Sequence, residues 1–200
     1  MSVRVAFMRH GPTVWNAAKR LQGRADIGLA ERTFGYLKAR RLPREFAGWR
    51  VLCSPLMRCR QTAEVLGLAA ETEPRLVEMD WGEYEGKSVD QLRTTVGPAF
   101  AANEARGLDF LPPGGESPRM VQARLLPLLA EIAADGRDTL CVAHRGVFRA
   151  VYAAARGWDM TGEPPDPLDL YAIHVFALDP VGTPTVEALN LALKRRWRKS

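Results

Sequence analysis

The chain has 200 residues and a mass of 22.2 kDa, which suits a single domain of ordinary size, here taken as residues 1–200. Apolar residues make up 46% and charged residues 26%, a balance typical of a soluble globular protein. No apolar run approaches the roughly 20 residues that cross a bilayer, and the N-terminal segment lacks the features of a signal peptide. We therefore expect a cytoplasmic protein, neither secreted nor inserted in a membrane.

The net charge of +5 belongs to the C-terminus. Residues 194–200 carry five basic side chains, and the rest of the chain has equal numbers of acidic and basic residues. A basic tail could contact nucleic acid or an anionic membrane, but a solvated terminus is the more common outcome. We expect no nucleic-acid partner and no membrane partner, although Trp197 could pack back on the body.

Cysteine spacing argues against a disulfide scaffold or a structural zinc site. The chain has three cysteines, at positions 53, 59 and 141, with no CxxC pair and no neighbouring histidine at ligand spacing. We expect reduced, buried thiols.

Five short apolar segments, rich in β-branched residues, predict strands. They are residues 3–8, 51–53, 139–143, 172–178 and 185–189. A turn at 179–182, which contains proline and glycine, joins the last two.

Helical patterns lie between the strands, at residues 29–41, 56–66, 118–134 and 147–155. Ser117 is predicted to cap the third helix, with Pro118 at its first position. Ser54 is likewise predicted to cap the second helix, with Pro55 at its first position. Strands alternating with helices predict an α/β domain with a mainly parallel central sheet. Residues 80–116 fit loops and short helices inserted over one edge of the sheet, as a cap.

Basic side chains follow three of the predicted strands. Arg9 and His10 end the first, Arg58 lies one helical turn beyond the second, and His144 follows the third. Ligands of open parallel sheets bind beyond the carboxyl ends of the strands, so these groups should meet in one cleft. Imidazoles and guanidiniums gathered there would repel one another unless an anion lay between them, and arginine matches the oxygens of a phosphate. A neutral histidine at such a site could also attack phosphorus.

These residues lie in segments that occur in a recognisable order along the chain. They are residues 9–16 (Arg-His-Gly followed by Asn16), 20–24, 54–63, 78–86, 113–117 and 142–147. Together they resemble the histidine phosphatase superfamily, in its small phosphatase branch of phosphoglycerate mutase-like proteins. The resemblance implies a three-layer fold with helices on both faces of the sheet and a small cap over the C-terminal strand ends.

The resemblance also implies roles for particular residues. His10 would be the nucleophile that accepts the phosphoryl group, and Glu78 would donate a proton to the leaving oxygen and later activate water. Arg9, Arg58 and His144 would hold the phosphate oxygens.

Three further residues are expected to bind substrate. Asn16 and Gln22 would line the phosphate pocket, and Arg145, which stands where many family members have glycine, could reach the substrate. We expect no metal and no cofactor, because the cationic side chains do what Mg²⁺ does in other phosphoryl-transfer sites.

The identity of the proton donor stays open at this point. A general acid must be protonated near neutral pH, which requires burial or a neighbouring carboxylate. Glu78 is favoured by its position in the motif, but Asp80, Glu83 and Glu85 lie close by in the sequence.

A short cap favours a phosphatase over a phosphoglycerate mutase, since the longer insertion and acidic segment of the mutases are missing. A binding module that holds a phosphorylated ligand without turnover is the remaining alternative. We expect a small phosphorylated metabolite as substrate, with α-ribazole phosphate, sugar phosphates and other small phosphomonoesters all open. The sequence leaves the oligomeric state undetermined.

Overall fold

A computed structural model of the chain describes residues 2–196. Its strands are β1 (Val3–Arg9), β2 (Arg40–Arg41), β3 (Arg50–Cys53), β4 (Glu71–Thr72), β5 (Thr139–Ala143), β6 (Ile173–Leu178), β7 (Pro184–Leu191) and β8 (Lys194–Arg195). Its α-helices are α1 (Val14–Ala17), α2 (Glu31–Lys38), α3 (Met57–Leu66), α4 (Val89–Thr95), α5 (Pro98–Glu104), α6 (Pro118–Asp135) and α7 (Arg145–Arg156).

Six strands form the central sheet in the order β4-β3-β5-β1-β6-β7. The first four are parallel, whereas β6 runs antiparallel to β1, and β7 runs antiparallel to β6. Parallel strands bring their carboxyl ends to one edge of a sheet, so the residues that follow β1, β3 and β5 meet there.

Apolar side chains of the sheet alternate between two cores. On β1, Val5 and Phe7 join a cluster with α6 and α7, while Ala6 and Met8 join another with α2 and α3. This alternation follows from the two-residue period of a strand, and it requires helices on both faces. The predicted α/β fold, with a mostly parallel sheet between two helical layers, is confirmed.

The N-terminus of α3 differs from the prediction. The helix begins at Met57, and its first backbone N–H donates to Asp26 Oδ1 at 2.6 Å, so a carboxylate distant in sequence serves as the cap. The oxygen of Ser54, predicted as the cap, accepts among the backbone N–H groups of residues 2–196 only that of Leu56, at 3.4 Å and ahead of the helix, and it lies 2.7 Å from His144 Nε2. By contrast, Ser117 caps α6 as predicted, accepting the N–H of Met120 at 3.2 Å.

Helix α2 is shorter than the predicted segment 29–41 at both ends. Leu29 pairs with Thr13 in an isolated bridge, and the Ala30 N–H donates to the Pro12 carbonyl at 3.0 Å. At the other end the chain leaves the helix for β2. Backbone pairing with distant segments therefore ends the helix where its local pattern would continue.

The segment 80–116 contains α4, α5 and two single 3₁₀ turns, as its composition predicts. Its buried Tyr84, Leu92, Phe100 and Phe110 belong to the same cluster as α6 and α7. The segment is thus packed on the main core and has no separate core of its own. That it caps the strand ends stays a prediction.

The start of the basic tail is paired with the body. β8 runs antiparallel to β2, and the Arg196 N–H donates to the Ala39 carbonyl at 2.9 Å, although the side chains of 194–196 are exposed. The expected solvated terminus therefore does not begin at residue 194. Trp197 and residues 198–200 lie outside the described residues.

No helix in the part of the chain that the structure describes has both the length and the apolar character of a membrane span. The three cysteines are buried and free, as predicted.

Candidate active site

The carboxyl ends of β1, β3 and β5 bring the predicted basic residues together. The His10 N–H donates to the Ala143 carbonyl, and the Ser54 N–H donates to the Val142 carbonyl, each at 3.0 Å. These bonds continue the strand pairing past the last strand residues. They hold the backbone of His10, Ser54 and His144 side by side at one edge of the sheet.

His10 is 3% exposed, and its ring has a defined orientation. Its Nδ1 lies 2.7 Å from the carbonyl oxygen of Gly11. A carbonyl can only accept a hydrogen bond, so Nδ1 carries the proton in the neutral ring and the lone pair is on Nε2. This is the tautomer that a nucleophilic Nε2 requires.

Gly11 fits tightly beneath this loop. A Cβ atom at this position would lie 2.6 Å from Thr33 Cγ2, which is closer than real carbon contacts. The Gly11 N–H donates to Thr62 Oγ1 at 3.0 Å, and this bond ties the loop to α3. The glycine of the Arg-His-Gly motif is therefore required by packing around the histidine.

His144 faces His10 across the site. The two ring centroids are 5.3 Å apart, with the planes tilted by 58°. His144 is fully buried, and its Nε2 lies 2.7 Å from Ser54 Oγ. The sequence marked both histidines, whereas Ser54 was predicted only as a helix cap, because its partner His144 is 90 residues away.

Both imidazoles are held in the neutral form. Burial lowers the pKa of His10 well below its ordinary value, and the charges of Arg9 and Arg58 lower it further. Burial also lowers the pKa of His144, together with the charge of Arg58. A neutral ring keeps the Nε2 lone pair of His10 available at neutral pH.

These depressed pKa values predict that the fold loses stability below pH 6.5. His10, His144 and the third histidine, His174, are all buried with lowered pKa values. Unfolded histidine takes up a proton near pH 6.5, whereas the folded rings stay neutral, so the unfolded state binds more protons below that pH. As the pH is lowered below 6.5, the free energy of unfolding should therefore decrease by up to about 1.4 kcal/mol per pH unit for each of these histidines.

Urea unfolding at pH 7.5, 6.5 and 5.5 measures this slope above the range in which carboxylates titrate. His144→Asn should reduce the slope by about a third, since one of three protons no longer contributes. Equal free energies of unfolding at pH 5.5 and 7.5 would contradict the assignment of neutral buried rings.

Arg58 is fully buried and is positioned by a neighbouring loop. Its two terminal nitrogens donate to the carbonyls of Ala25 and Gly23, each at 2.8 Å. Burial lowers the pKa of Arg58, and the nearby charge of Glu78 opposes that effect. Its Nε and that of Arg9 are buried without a hydrogen-bond acceptor among residues 2–196.

Glu78 lies against the N-terminus of α7. The Gly146 N–H donates to its carboxylate, at 3.1 Å from Oε1 and 3.3 Å from Oε2, and the Met79 N–H donates to Oε1 at 2.9 Å. The residue is 9% exposed. Gly146 leaves the room for it, because a Cβ atom there would be 2.5 Å from Oε1.

The other candidate acids have different surroundings. Asp80 accepts the Gly82 N–H at 2.8 Å, and Glu85 accepts the backbone N–H groups of Arg24 and Ala25. Glu83 is exposed. Among the four carboxylates considered from the sequence, Glu78 is the buried one.

Gln22 and Asn16 differ in how they relate to this cluster. Gln22 is buried next to the loop that holds Arg58, and no hydrogen bond of the described residues reaches its Oε1. Asn16 Oδ1 accepts the N–H of Thr13 at 2.9 Å and closes a capping box on α1. Within residues 2–196, no hydrogen bond joins Asn16 to another predicted site residue.

Arg145 is the first residue of α7 and lies at the rim of the site. Its side chain is exposed overall, but desolvation of the guanidinium lowers its pKa, and the charge of Arg9 adds to that effect. The structure therefore groups Arg9, His10, Arg58, Glu78 and His144, with Arg145 beside them.

A charged network behind Glu78 was missed by the sequence analysis. Buried Glu116 accepts from Arg124 Nε at 2.9 Å and lies 3.4 Å from the Arg24 guanidinium. Arg124 also donates to the Val77 carbonyl at 2.8 Å, directly before Glu78. Burial alone would raise the pKa of Glu116, but Arg124 outweighs it and holds the pKa below its ordinary value. In the sequence, the segment 113–117, which contains Glu116, was connected with the candidate site only by its resemblance to the corresponding segment of the family.

The arrangement combines a neutral imidazole with its lone pair on Nε2, the buried guanidinium of Arg58, the half-buried one of Arg9, a second imidazole and one buried carboxylate. Such a set can bind an oxyanion, attack it and move a proton. A profile of the histidine phosphatase superfamily (branch 1) matches residues 5–192. The chain belongs to the histidine phosphatase superfamily. The resemblance seen in the sequence is thereby confirmed.

Relatives of this histidine phosphatase superfamily member include mutases and phosphatases. It is 33% identical over 168 residues to the 2,3-bisphosphoglycerate-dependent phosphoglycerate mutase of Methylobacterium radiotolerans, covering 76% of this chain and 79% of that protein. It is 32% identical over 149 residues to the fructose-2,6-bisphosphatase of Saccharomyces cerevisiae, covering 72% of this chain but only 32% of the yeast enzyme.

Solved structures of the superfamily have the same fold. Mycobacterial glucosyl-3-phosphoglycerate phosphatase in complex with VO3 superposes with a TM-score of 0.76 at 26% identity, covering 96% of this chain and 100% of that one. The histidine phosphatase fold thus extends over nearly the whole chain.

Proposed function

We propose that this protein is a metal-independent phosphomonoester hydrolase that works through a phosphohistidine on His10. The observation that carries the proposal is the His10 ring, in which the Gly11 carbonyl holds the Nδ1 proton at 2.7 Å and the lone pair is therefore on Nε2. That nitrogen is part of a buried cluster with two arginines and a second histidine.

Binding of the phosphoryl group relies on the guanidiniums. Buried donors normally have an acceptor, and the Nε atoms of Arg9 and Arg58 have none among the described residues. A phosphate oxygen would accept from them, and its negative charge would offset the repulsion between the guanidiniums. His144 would contribute a further contact to the same group, and Gln22 would line the pocket.

In the first step, His10 Nε2 attacks phosphorus and forms the phosphorus–nitrogen bond while the bond to the ester oxygen breaks. Glu78 in its protonated form gives a proton to that oxygen, which leaves as an alcohol. The guanidiniums stabilise the charge on the equatorial oxygens during transfer.

In the second step, the Glu78 carboxylate takes a proton from water, and the water oxygen attacks phosphorus. The phosphorus–nitrogen bond breaks, inorganic phosphate leaves, and His10 returns to its neutral form. Glu78 is preferred to Asp80, Glu83 and Glu85 because it is the buried one, close enough to Arg58 to affect its pKa.

Similarity to a bisphosphoglycerate-dependent mutase favours phosphoryl return to substrate as a second candidate. The similarity to fructose-2,6-bisphosphatase and glucosyl-3-phosphoglycerate phosphatase supports hydrolysis. The two reactions differ in whether water or a hydroxyl group of the phosphoglycerate attacks the phosphohistidine.

The direct test is hydrolysis of p-nitrophenyl phosphate by the wild-type protein, with and without EDTA and vanadate. We expect release of inorganic phosphate that is unaffected by EDTA and is inhibited by vanadate, which imitates the five-coordinate phosphorus. Activity lost to EDTA would contradict the metal-independent mechanism. Interconversion of 3- and 2-phosphoglycerate without phosphate release would establish the mutase instead.

A further inference from the structure

A cavity of about 610 Å³ lies beside the small two-stranded sheet that β2 and β8 form. Seven residues line it: Arg41, Pro43, Arg44, Glu45, Lys194, Arg195 and Arg196. Five of them are basic and one is acidic, so most of the positive charge in the lining has no counterpart there. None of the seven belongs to the candidate active site.

The cavity lies at the opposite end of α2 from the candidate active site. The first turn of α2 contacts the loop that follows His10, where Thr33 Oγ1 donates to the Pro12 carbonyl at 2.7 Å. The helix ends at Lys38, shortly before β2. Its 8 residues extend about 12 Å. A ligand in this cavity would therefore occupy a site separate from the one around His10.

Both cross-strand pairs of the small sheet place one cation opposite another. Arg40 lies opposite Arg195, and Arg41 lies opposite Lys194. Like charges directly opposite each other destabilise a pair of strands, and a two-stranded sheet has little other stabilisation. A bound anion would offset this repulsion, because it would attract both strands at once.

No carboxylate in the described range 2–196 forms an ion pair with the basic residues of the lining. Glu45, the one acid of the lining, is exposed. Arg196 is held by backbone carbonyls, donating from Nε to that of Arg40 at 2.7 Å and from a terminal nitrogen to that of Leu66 at 3.1 Å. These contacts fix the position of a guanidinium without neutralising its charge.

The shape and lining of the cavity favour a compact ligand with several phosphate groups. The volume is in the range of small-molecule sites, whereas single-stranded nucleic acid follows a longer groove. None of the seven lining residues is aromatic, so the cavity offers no side chain on which a base would stack. Guanidiniums match the paired oxygens of a phosphate, and several of them can bind adjacent phosphates.

We propose that the cavity beside β2 and β8 binds a compact polyphosphate, a di- or triphosphate group, at a site remote from His10. Two basic segments, 40–44 and 194–196, form the site together, although Arg40 and Arg196 are 156 residues apart in the chain. The site does not depend on the proposed hydrolase activity, because none of its residues takes part in that chemistry.

Calorimetric titration of the full chain with inorganic tripolyphosphate tests the proposal. Saturating orthophosphate is present, so that the candidate active site is occupied by a single phosphate. We expect one tripolyphosphate to bind per chain, and pyrophosphate to bind more weakly at the same ionic strength, since fewer phosphate oxygens reach the guanidiniums. The absence of saturable tripolyphosphate binding would contradict the proposal.

Variants then assign the binding to the cavity. Arg41→Gln combined with Arg44→Gln should raise the Kd about tenfold or more, the effect of losing a charge-assisted hydrogen bond, and leaves the C-terminal segment intact. Arg32→Gln combined with Arg60→Gln is the matched control, because both arginines are exposed, lie outside the lining and remove the same charge. Glu45→Gln should lower the Kd, a gain that misfolding cannot produce.

Three outcomes would overturn the site. An equal rise in Kd for the two double variants would mean that net charge alone attracts the ligand. An unchanged Kd in Glu45→Gln would separate the binding from this lining. Tighter binding of a short DNA duplex than of tripolyphosphate at the same salt concentration would replace the small ligand by nucleic acid. None of these measurements requires turnover, so they stand whether or not His10 forms a phosphohistidine.

Discussion

Replacing His10 by alanine is expected to lower kcat for p-nitrophenyl phosphate by about 10⁴-fold or more, the size of effect seen when a catalytic nucleophile is removed. The variant loses the Nε2 atom that would form the bond to phosphorus, while the arginines around it stay in place. Removing a buried imidazole whose pKa is lowered by burial also removes a stability cost at acid pH, so the fold should persist.

His174→Asn is the matched control for this prediction. His174 is equally buried and stacks on Phe148, with 4.7 Å between the ring centroids. Among residues 2–196, it makes no hydrogen bond to a residue of the candidate site. It should lower stability and leave kcat close to the wild-type value. An acid-labile phosphoryl label on the wild-type protein, absent from His10→Ala, would identify the intermediate directly.

A folded His10→Ala protein whose kcat stays within tenfold of the wild-type value would contradict the assignment of His10 as the nucleophile. A label that persists in this variant would transfer the role to another residue, with His144 the nearest imidazole.

Replacing Glu78 by glutamine should produce a defect that depends on the leaving group. An alkyl oxygen needs a proton as it leaves, so turnover of glycerol 3-phosphate should fall by about 10²- to 10⁴-fold, the usual contribution of a general acid. p-Nitrophenolate needs no proton, so the first step with that ester should stay fast. The second step still lacks its base, and p-nitrophenol should therefore appear as a burst followed by slow turnover.

Rapid-mixing measurements with both esters test this prediction, with a burst of one equivalent per active site expected only for the p-nitrophenyl ester. Glu83→Gln is the control, because Glu83 is exposed and lies in the same segment. An equal loss for both esters without a burst would mean that Glu78 positions the site and does not transfer a proton.

A glycine substitution probes the same carboxylate without removing it. A Cβ at position 146 would lie 2.5 Å from Glu78 Oε1 and 3.2 Å from Met79 Cβ, so Gly146→Ala should displace the carboxylate and reproduce part of the same leaving-group dependence. Gly35→Ala, on α2 with no atom within 4 Å of the added Cβ, should leave activity unchanged. It should stabilise the helix by about 0.5–1 kcal/mol.

Local patterns predicted the elements that carry the cluster. A strand followed by a polar turn is visible in a few residues, and this pattern located His10 and His144 correctly at the end of β1 and after β5. Ser117 and Pro118 marked the start of α6 because a cap and a first-turn proline act within four residues.

Contacts between distant segments were not predictable in this way. Asp26 caps α3 across 31 residues, and Ser54 pairs with His144 across 90. The residues around Ser54 do not show whether its hydroxyl group caps a helix or bonds to a distant side chain such as His144, because both roles use the same group. Glu116 likewise becomes a buried partner of Arg24 and Arg124 only after the chain has folded.

The sequence by itself determined the fold class, the superfamily and the residue types at the strand ends, because strand periodicity and short motifs are encoded within a few neighbouring residues. Only the tertiary structure decided which nitrogen of His10 holds its proton and which carboxylate lies against α7. Those properties depend on burial and on hydrogen bonds between segments far apart in the chain, and they exist only once the sheet has brought these segments to one edge.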